Sequence, residues 1–99
     1  VFDLLLKENL NEKEVDQVKK TARTLLDKLQ QEKLVLDWRE KESTRAGVKS
    51  TIYNIVYSYL PEPTYTENDC EQKGLEVYNF VYERYGSSNR NNLVQQRSL

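Results

Sequence analysis

Apolar residues recur at spacings of three and four along three stretches of the chain, and each stretch opens on a residue suited to cap a helix. The first begins at Asn11, where Glu14 three residues later completes a capping-box pattern and Glu12 favours the positive end of a helix. Val15, Val18, Ala22, Leu25, Leu26 and Leu29 then fall on one stripe of an ideal helix, so this face is predicted to be core.

A short apolar run, Leu34-Val35-Leu36, leads to Asp37 and Glu40, which repeat the N-terminal pattern and predict a second helix from Asp37 to about Leu60. Pro61 ends it, because proline donates no backbone bond and disfavours helical geometry in the preceding residue. Val48, Ile52, Ile55, Val56 and Tyr59 form its predicted buried stripe. Residues 61–65 read as a short stiff connector, and Thr66 with Asp69 caps a third helix bearing Cys70, Gly74, Val77, Tyr78, Val81, Tyr82 and Tyr85, stopped at Gly86. The expected fold is all-α, a small bundle of about three main helices, with strand pairing conceivable only near 34–36. Residues 1–86 make the helical domain, and 87–99, rich in Ser, Asn, Arg and Gln, read as a mobile tail.

Composition narrows the function. Ninety-nine residues hold one small domain, and 37% apolar against 31% charged residues place it among solvated globular chains. Fifteen basic and sixteen acidic side chains leave a net charge of −1, so no global basic field announces nucleic acid. The single cysteine and the lack of a run of ~20 apolar residues point to a cytosolic chain without a membrane partner. The opening cluster of Val1, Phe2, Leu4, Leu5 and Leu6, with no initiator Met, reads as the start of a fragment whose N-terminal face meets preceding sequence.

Candidate chemistry is sparse. There is no histidine, so zinc sites and Ser-His or Cys-His catalysis lack their usual residue. The three glycines, at 47, 74 and 86, are too scattered for a phosphate-cradling loop. Glu71-Gln72-Lys73 fits a loose acid-x-Lys nuclease pattern, but it falls in the first turns of a predicted helix rather than on a strand beside a metal. No catalytic residue, metal ligand or cofactor site is assigned. Cys70 reads as buried packing, and Gly74, costly inside a helix, as a place where a neighbouring helix comes close. Most of the seven tyrosines follow apolar stripes; Tyr57 lies opposite one and is a candidate for a partner surface.

Charge patterning is sharper. Lys20 and Arg23 each have an aspartate four residues away, whereas Lys41, Arg45 and Lys49 follow one another at i, i+4 steps with Arg39 nearby and Trp38 at the helix start. Two readings of this ridge stand. Either the aliphatic stems cover the first helix while the heads reach water, or the heads meet phosphates or an acidic protein surface.

The segment from Leu36 to Ala46, with its Asp37-Trp38-Arg39 and Arg45-Ala46 pairs, resembles a segment near the C-terminus of type I restriction enzyme motor subunits. The resemblance continues in order through Val48-Lys49, the Leu60-Pro61-Glu62 turn, and Glu71-Gln72-Lys73 to Tyr85, with Phe2-Asp3-Leu4-Leu5 and the Ala22/Leu25/Leu26 helix upstream, covering roughly residues 1–85. It implies a prokaryotic cytoplasmic parent, an ATP- and Mg-dependent DNA translocase and endonuclease, whose catalytic motifs lie upstream of this chain. For this piece it implies a non-catalytic helical domain docking the motor onto the methyltransferase and specificity subunits. The alternative is a module touching double-stranded DNA. Trp38, Arg39, Lys41, Arg45, Lys49 and Tyr57 are the candidate binding residues under either reading.

Overall fold

A computed structural model of the chain describes residues 1–85. The expected tail 87–99 and the Gly86 stop lie outside the described residues. Within them the chain is helical, with no strand: α1 (Phe2–Leu5), α2 (Glu12–Lys28), a π-helical turn (Leu29–Lys33), a 3-10 turn (Trp38–Glu40), α3 (Glu42–Tyr59) and α4 (Glu67–Arg84). The all-α bundle expected from periodicity is therefore the observed fold. No helix among the described residues is long and apolar enough to cross a membrane.

The predicted caps of α2 and α4 form as full capping boxes. Asn11 accepts from the Glu14 amide while Glu14 accepts from the Asn11 amide, and Thr66 and Asp69 do the same at α4. Val18, Ala22, Leu25 and Leu29 from the α2 face pack with Val48, Ile52, Ile55 and Val56 of α3 and Cys70, Val77 and Val81 of α4. Burial of each such Val, Leu or Ile side chain contributes roughly 1.5–3 kcal/mol before chain entropy is counted.

Four expectations change. Asp37 does not cap a long helix: it adopts left-handed φ 59°, a conformation aspartate tolerates better than most residues, and leads only the 3-10 turn. Trp38 must reach the core, and the main helix restarts at Glu42 after Lys41, which is extended and offers no side-chain cap. Tyr59, predicted to be core, is 43% exposed. The core at that end is closed instead by Leu60 and by Tyr65, which is only 2% exposed although it sits in the connector. Finally, the N-terminal cluster folds onto this domain: Leu5 is fully buried, and Val1, Phe2, Leu4 and Leu6 pack partly buried against the core.

The π-helical turn widens the chain after α2, with the Leu34 amide donating to the Leu29 carbonyl at 2.8 Å. It keeps Leu29 in the core and then releases Val35 and Leu36 to solvent, Leu36 at 79% exposure.

Candidate partner-binding face

The Trp38-Arg39 pair joins the 3-10 turn before α3 to the end of α4. The last carbonyls of any helix lack intrahelical donors. Here Trp38 Nε1 donates to the Tyr85 carbonyl at 2.9 Å, and Arg39 Nη1 donates to the Tyr82 carbonyl, also at 2.9 Å. The two side chains thus serve as a C-terminal cap for α4 supplied by a distant segment, and cationic Arg39 suits the negative end of the helix. Trp38 is 1% exposed and meets Tyr78 and Tyr82 edge-on, with centroids 6.2 and 5.8 Å away. Trp38 is therefore a core residue, and its placement among the partner-binding candidates is corrected: its ring has no free surface to offer.

The basic ridge is also redistributed. Arg39 lies half-buried, with its guanidinium 4.9 Å from the Tyr82 ring centroid. Arg45 is half-buried too, and Nη1 donates to the Arg39 carbonyl at 2.5 Å, tying α3 to the 3-10 turn. Thr44 reinforces the same corner, its hydroxyl donating to the Trp38 carbonyl at 2.5 Å. Lys41 and Lys49 are exposed; Lys49 Nζ stands 5.5 Å over the Tyr78 ring. Because Lys41 precedes the helix, the three-step ridge reduces to Arg45 and Lys49 on α3 with Lys41 beside its first turn. Arg39 and Arg45 follow neither reading of the ridge: their heads bind backbone carbonyls of this chain.

Tyr57 is 36% exposed, as its position opposite the apolar stripe suggests, and stacks on Tyr53 at 6.4 Å. Lys49, Tyr53 and Tyr57 continue one row along α3 at i, i+4 steps, passing from cation to aromatic. Across from them lies α4, where Gly74 is buried: a Cβ placed there would come 2.6 Å from Tyr53 Cε1. Close helix approach is the reason for this glycine, since Tyr53 occupies the space its side chain would fill. Beside that contact an open cleft of about 380 Å³ is lined by Lys49, Tyr53, Asn68, Glu71, Gln72 and Leu75. Glu71, part of the nuclease-like triplet, is thus a helix-surface residue in this cleft. A second cleft of about 380 Å³ at the start of α4 is lined by Tyr57, Glu62, Pro63, Tyr65, Thr66, Glu67 and Cys70. Burial pushes the Cys70 thiol up, so it is a poor nucleophile there.

One polar cluster has no counterpart in the periodicity. Lys7 Nζ pairs with Asp69 at 2.5 Å, donates to the Thr64 carbonyl at 2.6 Å, and stands 5.5 Å over the Tyr65 ring. The Thr64 hydroxyl donates to Glu14, and the Tyr65 hydroxyl donates to the Leu5 carbonyl at 2.6 Å. Lys7, with the Thr66 amide, holds the Asp69 carboxyl down at about 2, while burial pushes the Tyr65 phenol up to about 12. These residues lie about sixty positions apart, so their only sequence signal is the capping role of Glu14 and Asp69. Among the described residues no group of three or more His, Cys, Asp or Glu side chains is placed to hold a metal ion. Comparison with protein-family models, with curated proteins and with solved structures found no match to this chain.

Proposed function

We propose that this chain is a helical assembly module of the type I restriction enzyme motor kind, docking a translocase onto its methyltransferase and specificity subunits. Support comes from the collinear order of the resembling segments, from Leu36-Asp37-Trp38-Arg39 to the Tyr78–Tyr85 run. The observation that carries the docking reading is the outer face of α3, where exposed Lys49 and Tyr57 flank Tyr53 beside an open cleft. A cation and aromatic rings at a shallow cleft offer both steering and an apolar anchor to a protein surface.

Contact with double-stranded DNA through Lys41 and Lys49 is the second reading, favoured by the exposure of both ammonium groups near the start of α3. Pull-down of the chain with the methyltransferase core, with and without DNA, tests the two. Capture without DNA supports docking. Capture that requires DNA and weakens steeply with salt, at a log-log slope near −0.9 per phosphate, supports the second reading.

A further inference from the structure

The outer α3–α4 face bears opposite charges at opposite ends. Lys49 on α3 lies at the level of Tyr78 on α4, and Tyr53 lies at the level of Gly74. Glu71, one helical turn before Gly74, then lies toward Tyr57 at the far end. Among the described residues neither Lys49 nor Glu71 has an oppositely charged side chain within ion-pair distance; the ion pairs there are Lys7–Asp69 and Lys28–Glu32. Between the two charges stand Tyr53 and Leu75, the latter 46% exposed, with Tyr57 at the edge.

We infer that this face pairs with a second copy of itself. An acidic partner would satisfy Lys49 and repel Glu71, and a basic partner would do the reverse; a two-fold related copy satisfies both. A two-fold axis lying in the face and passing over the Tyr53–Gly74 contact sets Lys49 of each copy against Glu71 of the other, with Tyr53 and Leu75 closing the centre. The strength follows from size. Eighteen-residue helices are about 27 Å long, and two packed about 9 Å apart present roughly 500 Å² per copy, below the ~800 Å² of a standard interface. An interface of that size falls at the low end, so the dimer is a weak, transient one. This inference does not rest on the proposed docking role and competes with it, because a second copy seated on Lys49 and Tyr53 would exclude a methyltransferase subunit from the same face.

Sedimentation equilibrium of the 99-residue chain at low salt tests it, from about 10 µM to about 1 mM. A concentration-dependent monomer–dimer equilibrium is expected. Lys49→Glu alone and Glu71→Lys alone each place like charges at both contacts and should weaken association about ten-fold, whereas an equal mixture of the two variants restores opposite charges at both and should recover it. Helical circular dichroism of each variant confirms that the fold is kept. A chain that stays monomeric throughout overturns the proposal. So does a dimer indifferent to either swap, or a mixture no tighter than the separate variants.

Discussion

At Gly74 a single missing Cβ decides how α3 and α4 pack. Alanine there gains up to ~1 kcal/mol of helix propensity, but its Cβ would sit 2.6 Å from the Tyr53 ring, which must swing away and lose its stack on Tyr57. Gly74→Ala should therefore destabilise by ~1–2 kcal/mol in the parent chain, yet stabilise by ~0.5–1 kcal/mol once Tyr53→Ala has emptied the space. A denaturant double-mutant cycle reads this directly, and additive effects would remove Tyr53 as the cause. Ile55 poses a simpler case: it is buried in the core, and Ile55→Ala should cost ~2–5 kcal/mol through the cavity it leaves. A melting temperature within a degree or two of the parent would contradict that burial.

Between elements, the pair of Lys7 with Asp69 fastens the segment after α1 to the first turn of α4, and Glu14 fastens α2 to Thr64 in the connector. The Asp69 carboxyl titrates at about 2 when folded, below its ordinary 3.8, so its contribution is full above about pH 4 and is lost as pH falls toward 2. Glu14, lowered by the Thr64 hydroxyl, acts with the same sign. Asp69→Asn should accordingly melt below the parent at pH 5, with the gap narrowing as pH falls toward 2, where the folded parent carboxyl is half protonated. A constant gap across that range would remove the Lys7–Asp69 pair as its source. Such links explain what periodicity reveals and what it conceals. The α2 and α4 caps and the stripes of Val18, Ala22, Leu25, Val48, Ile52, Val77 and Val81 are legible because each depends on residues three or four apart. Asp37 misleads because its capping pattern is local, whereas the demand to bury Trp38 against Tyr78 and Tyr82 is tertiary and forces the helix to restart at Glu42. Tyr65 is missed for the same reason, since a connector tyrosine becomes core only when Leu5 is brought to its hydroxyl.

At the scale of the whole molecule, spacing reveals the cations around the start of α3 and the exposure of Tyr57 but not how the cations divide their roles. Arg45 reaches the Arg39 carbonyl, and Arg39 reaches the end of α4, so these two charges hold the bundle's corner. Lys41 and Lys49 remain exposed with no carboxylate of the described residues at ion-pair distance. Replacing the cations therefore separates stability from recognition. Arg45→Gln should lower stability by about 1–3 kcal/mol, because it deletes a charge-assisted bond to a carbonyl, and should do so without any partner present. Lys41→Gln with Lys49→Gln should leave the melting temperature nearly unchanged, since glutamine keeps much of each stem and no hydrogen bond within the domain is lost. Under the docking proposal that double variant slows association with the methyltransferase core at low salt in the absence of DNA. Under the DNA reading it weakens binding alike on every sequence and flattens the salt slope by up to ~2 units, one for each phosphate contact removed. A double variant that folds, assembles and binds DNA as the parent does would reduce both lysines to solvated surface and leave Tyr53, Tyr57 and Leu75 as the remaining anchors of the face.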